Sequence, residues 1–262
     1  MSTIVVGVDA TERSDAALAF ARRFTHAELI EACAVPVDGA PPRGLDAGTR
    51  VIPAGSPGHA LHTLAETTGA DLVVVGSSHT GRLGRVFPGS TGEKLLHGAP
   101  CAVAVVPRDY EPQPIERVGV AYDGSDEAKA ALTTARDLAE RFGARLELVG
   151  VAGIDWYAGP AVAAGSGYEL ETLRFDVEKR IRAALDEAVE RLDADTVMLH
   201  GDPADELAER TSTLDLIVTG SRGYGPLRAV LVGGVSGRLI RNAQCPVIVV
   251  PRGAAHDIAQ AA

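Results

Sequence analysis

The chain contains one succession of segments used twice. Thr3 to Val8 (TIVVGV) is an apolar, β-branched run ending in Asp9, and Glu116 to Tyr122 (ERVGVAY) ends in Asp123. Each is followed by a polar turn and an alanine-rich segment, in which Ala17, Ala21 and Phe24, then Ala131, Ala135 and Leu138, recur at the spacing of one helix face. Further apolar runs short enough for strands come in pairs: Leu29 to Val37 with Leu146 to Val151, Arg50 to Pro53 with Thr196 to Leu199, and Leu72 to Val75 with Leu214 to Thr219. APCAVAVVP, ending at Pro107, and AQCPVIVVP, ending at Pro251, close the two halves. Ser56 and Asp202 stand where N-caps belong, with Pro57 and Pro203 in the first helical turn. Strands apolar on both faces and alternating with helices require a parallel sheet covered on both sides. The predicted fold is α/β: two tandem, doubly wound, five-stranded parallel sheets of Rossmann-like layout.

The halves are unequal. Tyr168 to Leu192 places Leu170, Leu173, Val177, Ile181, Leu185, Val189 and Leu192 on one face of a long amphipathic helix. The corresponding stretch of the first half, DGAPPRGLDAGTR at 38–50, is broken by Pro and Gly, so the first half is expected to lack that helix. RDYEPQPIE, from Arg108 to Glu116, is polar and proline-rich, as a short semi-extended linker should be. The expected boundaries are a shortened first domain at 1–108, a linker at 109–116, a second domain at 117–252 and a loose tail at 253–262.

Composition narrows the class of function. With 262 residues, 46% of them hydrophobic, the chain can bury a substantial core. A net charge of −10, without any Lys/Arg-rich block, argues against nucleic acid as a partner, since phosphate neutralisation needs a basic face. The apolar runs fall short of the roughly 20 residues a membrane helix needs, and no basic-plus-apolar leader opens the sequence. The expectation is a soluble, cytoplasmic protein with no membrane partner. Cys33, Cys101 and Cys245 lack C-x-x-C spacing and lie in or beside apolar runs, where small buried core residues are expected.

In a doubly wound sheet, ligands bind outside the carboxyl ends of the strands where strand order switches. In the second half those ends offer Asp123, Val151 and the loop GSRGYGPLRAVLVGGVS at 220–236. Gly220 and Gly223 are expected to turn with positive φ and let a ligand approach. Gly233, Gly234, Val235 and Ser236 are expected to open a helix whose free N–H groups hold a phosphate. Asp123 suits a ribose or a base edge, and Arg222 a phosphate. The equivalent positions of the first half are Asp9, Val35, Gly76, His79, Gly89, Ser90 and Thr91. Arg82, Arg85 and Arg228 are further charges in the loops. Trp156 and Tyr157 follow the second strand of the second half, where they can cover a base or pack on the sheet edge. His59 and His62, three apart on a helix, have no third ligand nearby and read as solvated helix polarity. No Ser-His-Asp order and no nucleophile elbow is present, so no catalytic residue and no metal is expected.

The run GSRG, nine residues, then GG resembles the G-x-x-G, nine residues, G-S/T signature of the universal stress protein family. The aspartates ending the first strands and the APC and CPVIVV closing stretches are similar to that family too, twice over nearly the whole chain. The resemblance implies a tandem universal stress protein that binds an adenine nucleotide, ATP with or without Mg²⁺, and acts in stress response through conformation and partners rather than catalysis. A cyclic nucleotide, or a nucleotide-independent scaffold of the same fold, are the alternatives it leaves open. It also implies pairing of the two domains through Val103 to Val106 and Val247 to Val250, and leaves room for a homodimer. In the second half Gly234 replaces the signature hydroxyl, and Ser236 is placed to compensate. In the first half His79 replaces the second glycine and Gly92 the later serine. The second half is expected to hold the better nucleotide site.

Overall fold

The computed structural model describes residues 2–77, 91–96, 98–153, 167–221 and 234–251. The first half runs β1 (Ser2–Gly7), α1 (Glu12–Ala21), β2 (Ala27–Val35), β3 (Arg50–Pro53), α2 (Pro57–Thr68), β4 (Leu72–Gly76), α3 (Thr91–Leu96) and β5 (Ala102–Val106). The second runs β6 (Arg117–Ala121), α4 (Asp126–Phe142), β7 (Arg145–Ala152), α5 (Gly167–Val189), β8 (Asp195–His200), α6 (Pro203–Arg210), a 3₁₀ turn (Thr211–Thr213), β9 (Leu216–Gly220), α7 (Gly234–Asn242) and β10 (Val247–Val250). As expected, α5 has no counterpart between β2 and β3.

The strands form one ten-stranded sheet in the order β3-β2-β1-β4-β5-β10-β9-β6-β7-β8. All neighbours are parallel except β5 and β10, which pair antiparallel with Val103 opposite Val249 and Val105 opposite Val247. This joint removes the unpaired edge that each half would otherwise present. Because side chains alternate along a strand, the sheet carries two cores. One, under α1, α4 and α5, contains Ile4, Val6, Val74, Val120, Leu148 and Val218; the other, under α2, α3, α6 and α7, contains Val5, Val73, Val103, Ile217 and Val249. The first core crosses between the halves: Phe24 packs edge-on against Phe142, and Phe20 against Tyr110 of the connecting segment, which thereby joins the core instead of standing off as a spacer.

Local chemistry sets the helix ends. Ser125 caps α4 by accepting from the Ala128 N–H at 3.2 Å, and Gly143 ends it in the left-handed conformation at φ 65°. Asp202 caps α6, accepting from the N–H groups of Ala204 and Asp205 at 2.9 and 3.2 Å. Ser56 occupies the N-cap position of α2 but its hydroxyl makes no capping bond, contrary to expectation. The three cysteines are buried free thiols, and burial raises the pKa of each, that of Cys101 to about 12. They are packing residues, as the sequence indicated. His59 is exposed, whereas His62 is tied to the fold: its Nε2 lies 2.6 Å from the Gly98 carbonyl oxygen, to which it donates. No helix among the described residues is long and apolar enough to cross a membrane.

Candidate functional site

The order of strands reverses between β6 and β9, because β6 is followed in sequence by β7 on one side and flanked by β9 on the other. At that point a cavity of about 120 Å³ opens at the carboxyl ends of β6, β7 and β9. Its floor is apolar: Ala121, Val149 and Val151 from the strands, Leu207 and Pro203 from α6, Val177 and Ile181 from α5. Its rim is polar, with Asp123, Ser125, Glu127, Arg180, Thr219 and Ser236. Among the expected residues of the second half, Asp123, Val151, Gly220, Val235 and Ser236 thus line one cavity, and Gly234 begins the helix that bounds it. Arg222, Gly223 and Gly233 lie outside the described residues, as do Arg228, Trp156 and Tyr157.

Two of the rim groups have hydrogen-bonding capacity to spare. Asp123 Oδ1 accepts from the backbone N–H of Ser125 at 3.0 Å and from its hydroxyl. Asp123 Oδ2 has no partner among the described residues. Ser236 is 93% buried, lies in the first turn of α7 facing the cavity, and its hydroxyl has no partner among the described residues. A hydroxyl that faces the cavity without a protein partner is available to donate to a ligand there. The first turn of α7 adds free N–H groups and the positive end of the helix dipole on the same side. Tyr122, under the rim, has its phenol pKa raised by burial first and then by the nearby carboxylates of Glu187 and Asp123.

Gly220 is placed as expected, for a different reason. It is the last residue of β9 and is not in the left-handed region; a Cβ there would stand 2.5 Å from the Glu127 carbonyl oxygen in the first turn of α4. Gly76 of the first half repeats this, with the Arg13 carbonyl oxygen 2.1 Å from a built Cβ. These glycines let a helix start pass close to a strand end. A left-handed glycine does occur in the neighbouring turn between β6 and α4, Gly124 at φ 79°.

The first half puts the same positions to another use. Asp9 Oδ1 accepts from the Thr11 backbone N–H at 3.2 Å, repeating the Asp123 turn, but Asp9 Oδ2 is taken by Arg13 Nη2 at 2.7 Å. Arg13 stands where the second half has Glu127, so the carboxylate free at Asp123 is neutralised at Asp9. Without a counterpart of α5, the wall supplied by Val177 and Ile181 is also missing. The register corrects one further expectation: Val8 N–H donates to Ala32 as Tyr122 N–H does to Val149, so Ala34, not Val35, matches Val151. Val35 points to the other face and is buried in the core under α1. Thr91 begins α3, which has six residues against nine in α7. His79, Gly89 and Ser90 lie outside the described residues, with Arg82 and Arg85.

Several lining residues escape a reading based on strand ends and glycines. Ser125, Glu127 and Pro203 were visible as a helix start, and Val177 and Ile181 as a helix face, but nothing in the sequence places α5 and α6 over one cleft. Among the described residues no group of three or more His, Cys, Asp or Glu side chains can hold a metal.

The sequence model of the Universal stress protein family matches residues 43–107 and 114–251. A universal stress protein of Mycolicibacterium smegmatis is 34% identical over 183 residues, which are 69% of this chain and 62% of that protein. One of Mycobacterium tuberculosis is 32% identical over 186 residues, 69% of this chain and 61% of its own length. The chain therefore spans less than two thirds of either relative. The crystal structure of a universal stress protein from Archaeoglobus fulgidus has the same fold, with a TM-score of 0.65 at 20% identity over 96% of this chain and 98% of that one. Sequence and fold agree across both halves: the chain belongs to the universal stress protein family.

Proposed function

We propose that the second half binds an adenine nucleotide, ATP in the first instance, and that the first half does not. The observation that carries this reading is the pairing of two unsatisfied groups across one cavity, the Ser236 hydroxyl beside the α7 N-terminus and Asp123 Oδ2. A phosphate suits the first, because helix N–H groups and a buried hydroxyl both donate. A ribose hydroxyl suits the second, because a carboxylate only accepts. The apolar floor at Val149, Val151 and Leu207 between them suits the faces of a base. Gly234 keeps its backbone N–H at the helix start, so the missing signature hydroxyl weakens the cradle without dismantling it.

In this reading the role is binding rather than catalysis, and the bound nucleotide acts through conformation and partners in stress response. A universal stress protein has been solved in complex with cAMP, which makes cAMP the competitor to test beside ATP. Equilibrium dialysis with millimolar ATP and Mg²⁺ tests the reading. One nucleotide per chain, lost in Asp123→Ala with Ser236→Ala and untouched in Asp9→Ala, is the expected result. No binding by the wild-type chain rejects it in favour of a nucleotide-independent scaffold, and two nucleotides per chain reject the assignment to one half.

A further inference from the structure

The cleft does not end at β7. Beyond Gly153 and Val177, which line both spaces, it opens into a second chamber of about 290 Å³ between α5 and the end of β8. Among the described residues, the ionisable side chains lining this chamber are Arg174, Glu178 and His200. Glu178 is already matched: Oε1 accepts from Arg182 Nη2 at 2.8 Å, and Oε2 lies 3.3 Å from His200 Nε2. Arg182 first, then His200, holds its carboxyl below the usual range. Arg174 has no hydrogen-bond or ion-pair partner among the described residues. With Glu178 matched by Arg182 and His200, the Arg174 guanidinium is left over in the chamber lining. Its planar donor fork matches an oxyanion.

Strand spacing sets which end of a ligand reaches it. Adjacent strands lie about 4.8 Å apart, and the order here is β9-β6-β7-β8. A phosphate held at α7 beside β9 leaves the far end of a nucleotide about 10 Å away, over β7, with the chamber one strand further. Resting on the nucleotide reading above, we propose that the second chamber receives an anionic group carried on the base end of the ligand, with Arg174 as the hydrogen-bond donor to it. The site then takes adenine nucleotides extended at the exocyclic amine, and discriminates among them by the charge of the extension.

Calorimetry of the full chain with ATP, N6-carboxymethyl-ATP and N6-(2-aminoethyl)-ATP tests this, because the two analogues carry extensions of similar length and opposite charge. The carboxymethyl compound is expected to bind at least as tightly as ATP and about ten-fold more tightly than the aminoethyl compound, the value of one charge-assisted hydrogen bond. Arg174→Ala, a change at an exposed helix position, is expected to abolish that preference and leave ATP affinity in place. If ATP binds while both analogues are rejected, bind equally, or keep their difference in Arg174→Ala, this inference falls and the nucleotide reading stands. Absence of ATP binding overturns both.

Discussion

At the scale of residues, differences between the two halves record what each position touches. Ala10 and Gly124 occupy the same place in the turn after the first strand of each half, and both are left-handed, at φ 55° and 79°. A Cβ on Gly124 would stand 2.8 Å from the Ala184 Cβ on α5, whereas Ala10 is exposed in the half that has no such helix. An L-residue in this region costs about 1–2 kcal/mol, offset by the roughly 0.5–1 kcal/mol of chain entropy that glycine loses. Ala10→Gly should therefore stabilise the protein by about 0.5–1 kcal/mol. Gly124→Ala should destabilise it by about 2–4 kcal/mol, since strain adds to overpacking. Urea midpoints of the two variants check both signs, and equal effects would show that α5 does not press on this turn. Glu147 and Arg210 make a second such pair. Arg210 Nε donates to Glu147 Oε1 at 2.7 Å and its Nη2 to Oε2 in a partly buried bridge, where the first half has Ile30 and Leu64 in the same places. Glu147→Ala should cost about 2–3 kcal/mol, because it leaves a half-buried guanidinium unpaired. The double change Glu147→Ile with Arg210→Leu should recover most of that loss in the same denaturation assay.

At the scale of elements, α6 and α7 are pinned together beside the cleft. Arg238 on α7 donates to Asp202 at 2.7 Å and to Asp205 at 2.8 Å. For Asp202, burial pushes the carboxyl up, but Arg238 and the N–H groups of Asp205 and Ala204 together outweigh it, and the net pKa is lowered. A carboxyl whose folded pKa is depressed contributes stability that is complete above its unfolded value, about 3.9, and is lost as pH falls through the folded value. Stability should therefore decline below about pH 4, and Asp202→Asn should flatten that decline while lowering stability at neutral pH. Urea midpoints recorded from pH 7 down to the acid limb provide the check; an unchanged slope in the variant would remove Asp202 from the account. Nucleotide affinity should fall together with this pin, because α7 carries Ser236 and α6 carries Pro203 and Leu207 of the floor.

At the scale of the whole molecule, the antiparallel joint between β5 and β10 and the shared cluster of Phe20, Phe24, Tyr110 and Phe142 make one structural body of two copies. Unfolding followed by circular dichroism and by proteolysis should accordingly give coincident single transitions. Two separated transitions would mean that the halves melt independently despite the joint. The Tyr110 hydroxyl is buried there without a partner among the described residues, and burial raises its pKa. The aromatic ring, rather than the hydroxyl, is what the connecting segment contributes to that body.

Much of this was legible in the amino-acid sequence. The repeat, the strand and helix order, the missing helix at 38–50 and the burial of the cysteines follow from local periodicity and from Pro and Gly, which act within a few residues of where they stand. The aspartates at the strand ends were legible for the same reason. The inequality of the halves was visible as the missing helix at 38–50 and as altered signature residues, Gly234 and His79. Its physical basis at Asp9, the Arg13 ion pair, and at Val35, a side chain on the opposite face, depends on rotamer and register. Likewise Gly220 reads as a turn glycine until α4 is seen to pass over it. Sequence alone determined the elements and their order, because backbone preference and hydrophobic period are local. Only the tertiary structure decided what faces each aspartate, because that depends on α5 closing over β7 and on which charge stands opposite: Arg13 at Asp9, none among the described residues at Asp123 Oδ2.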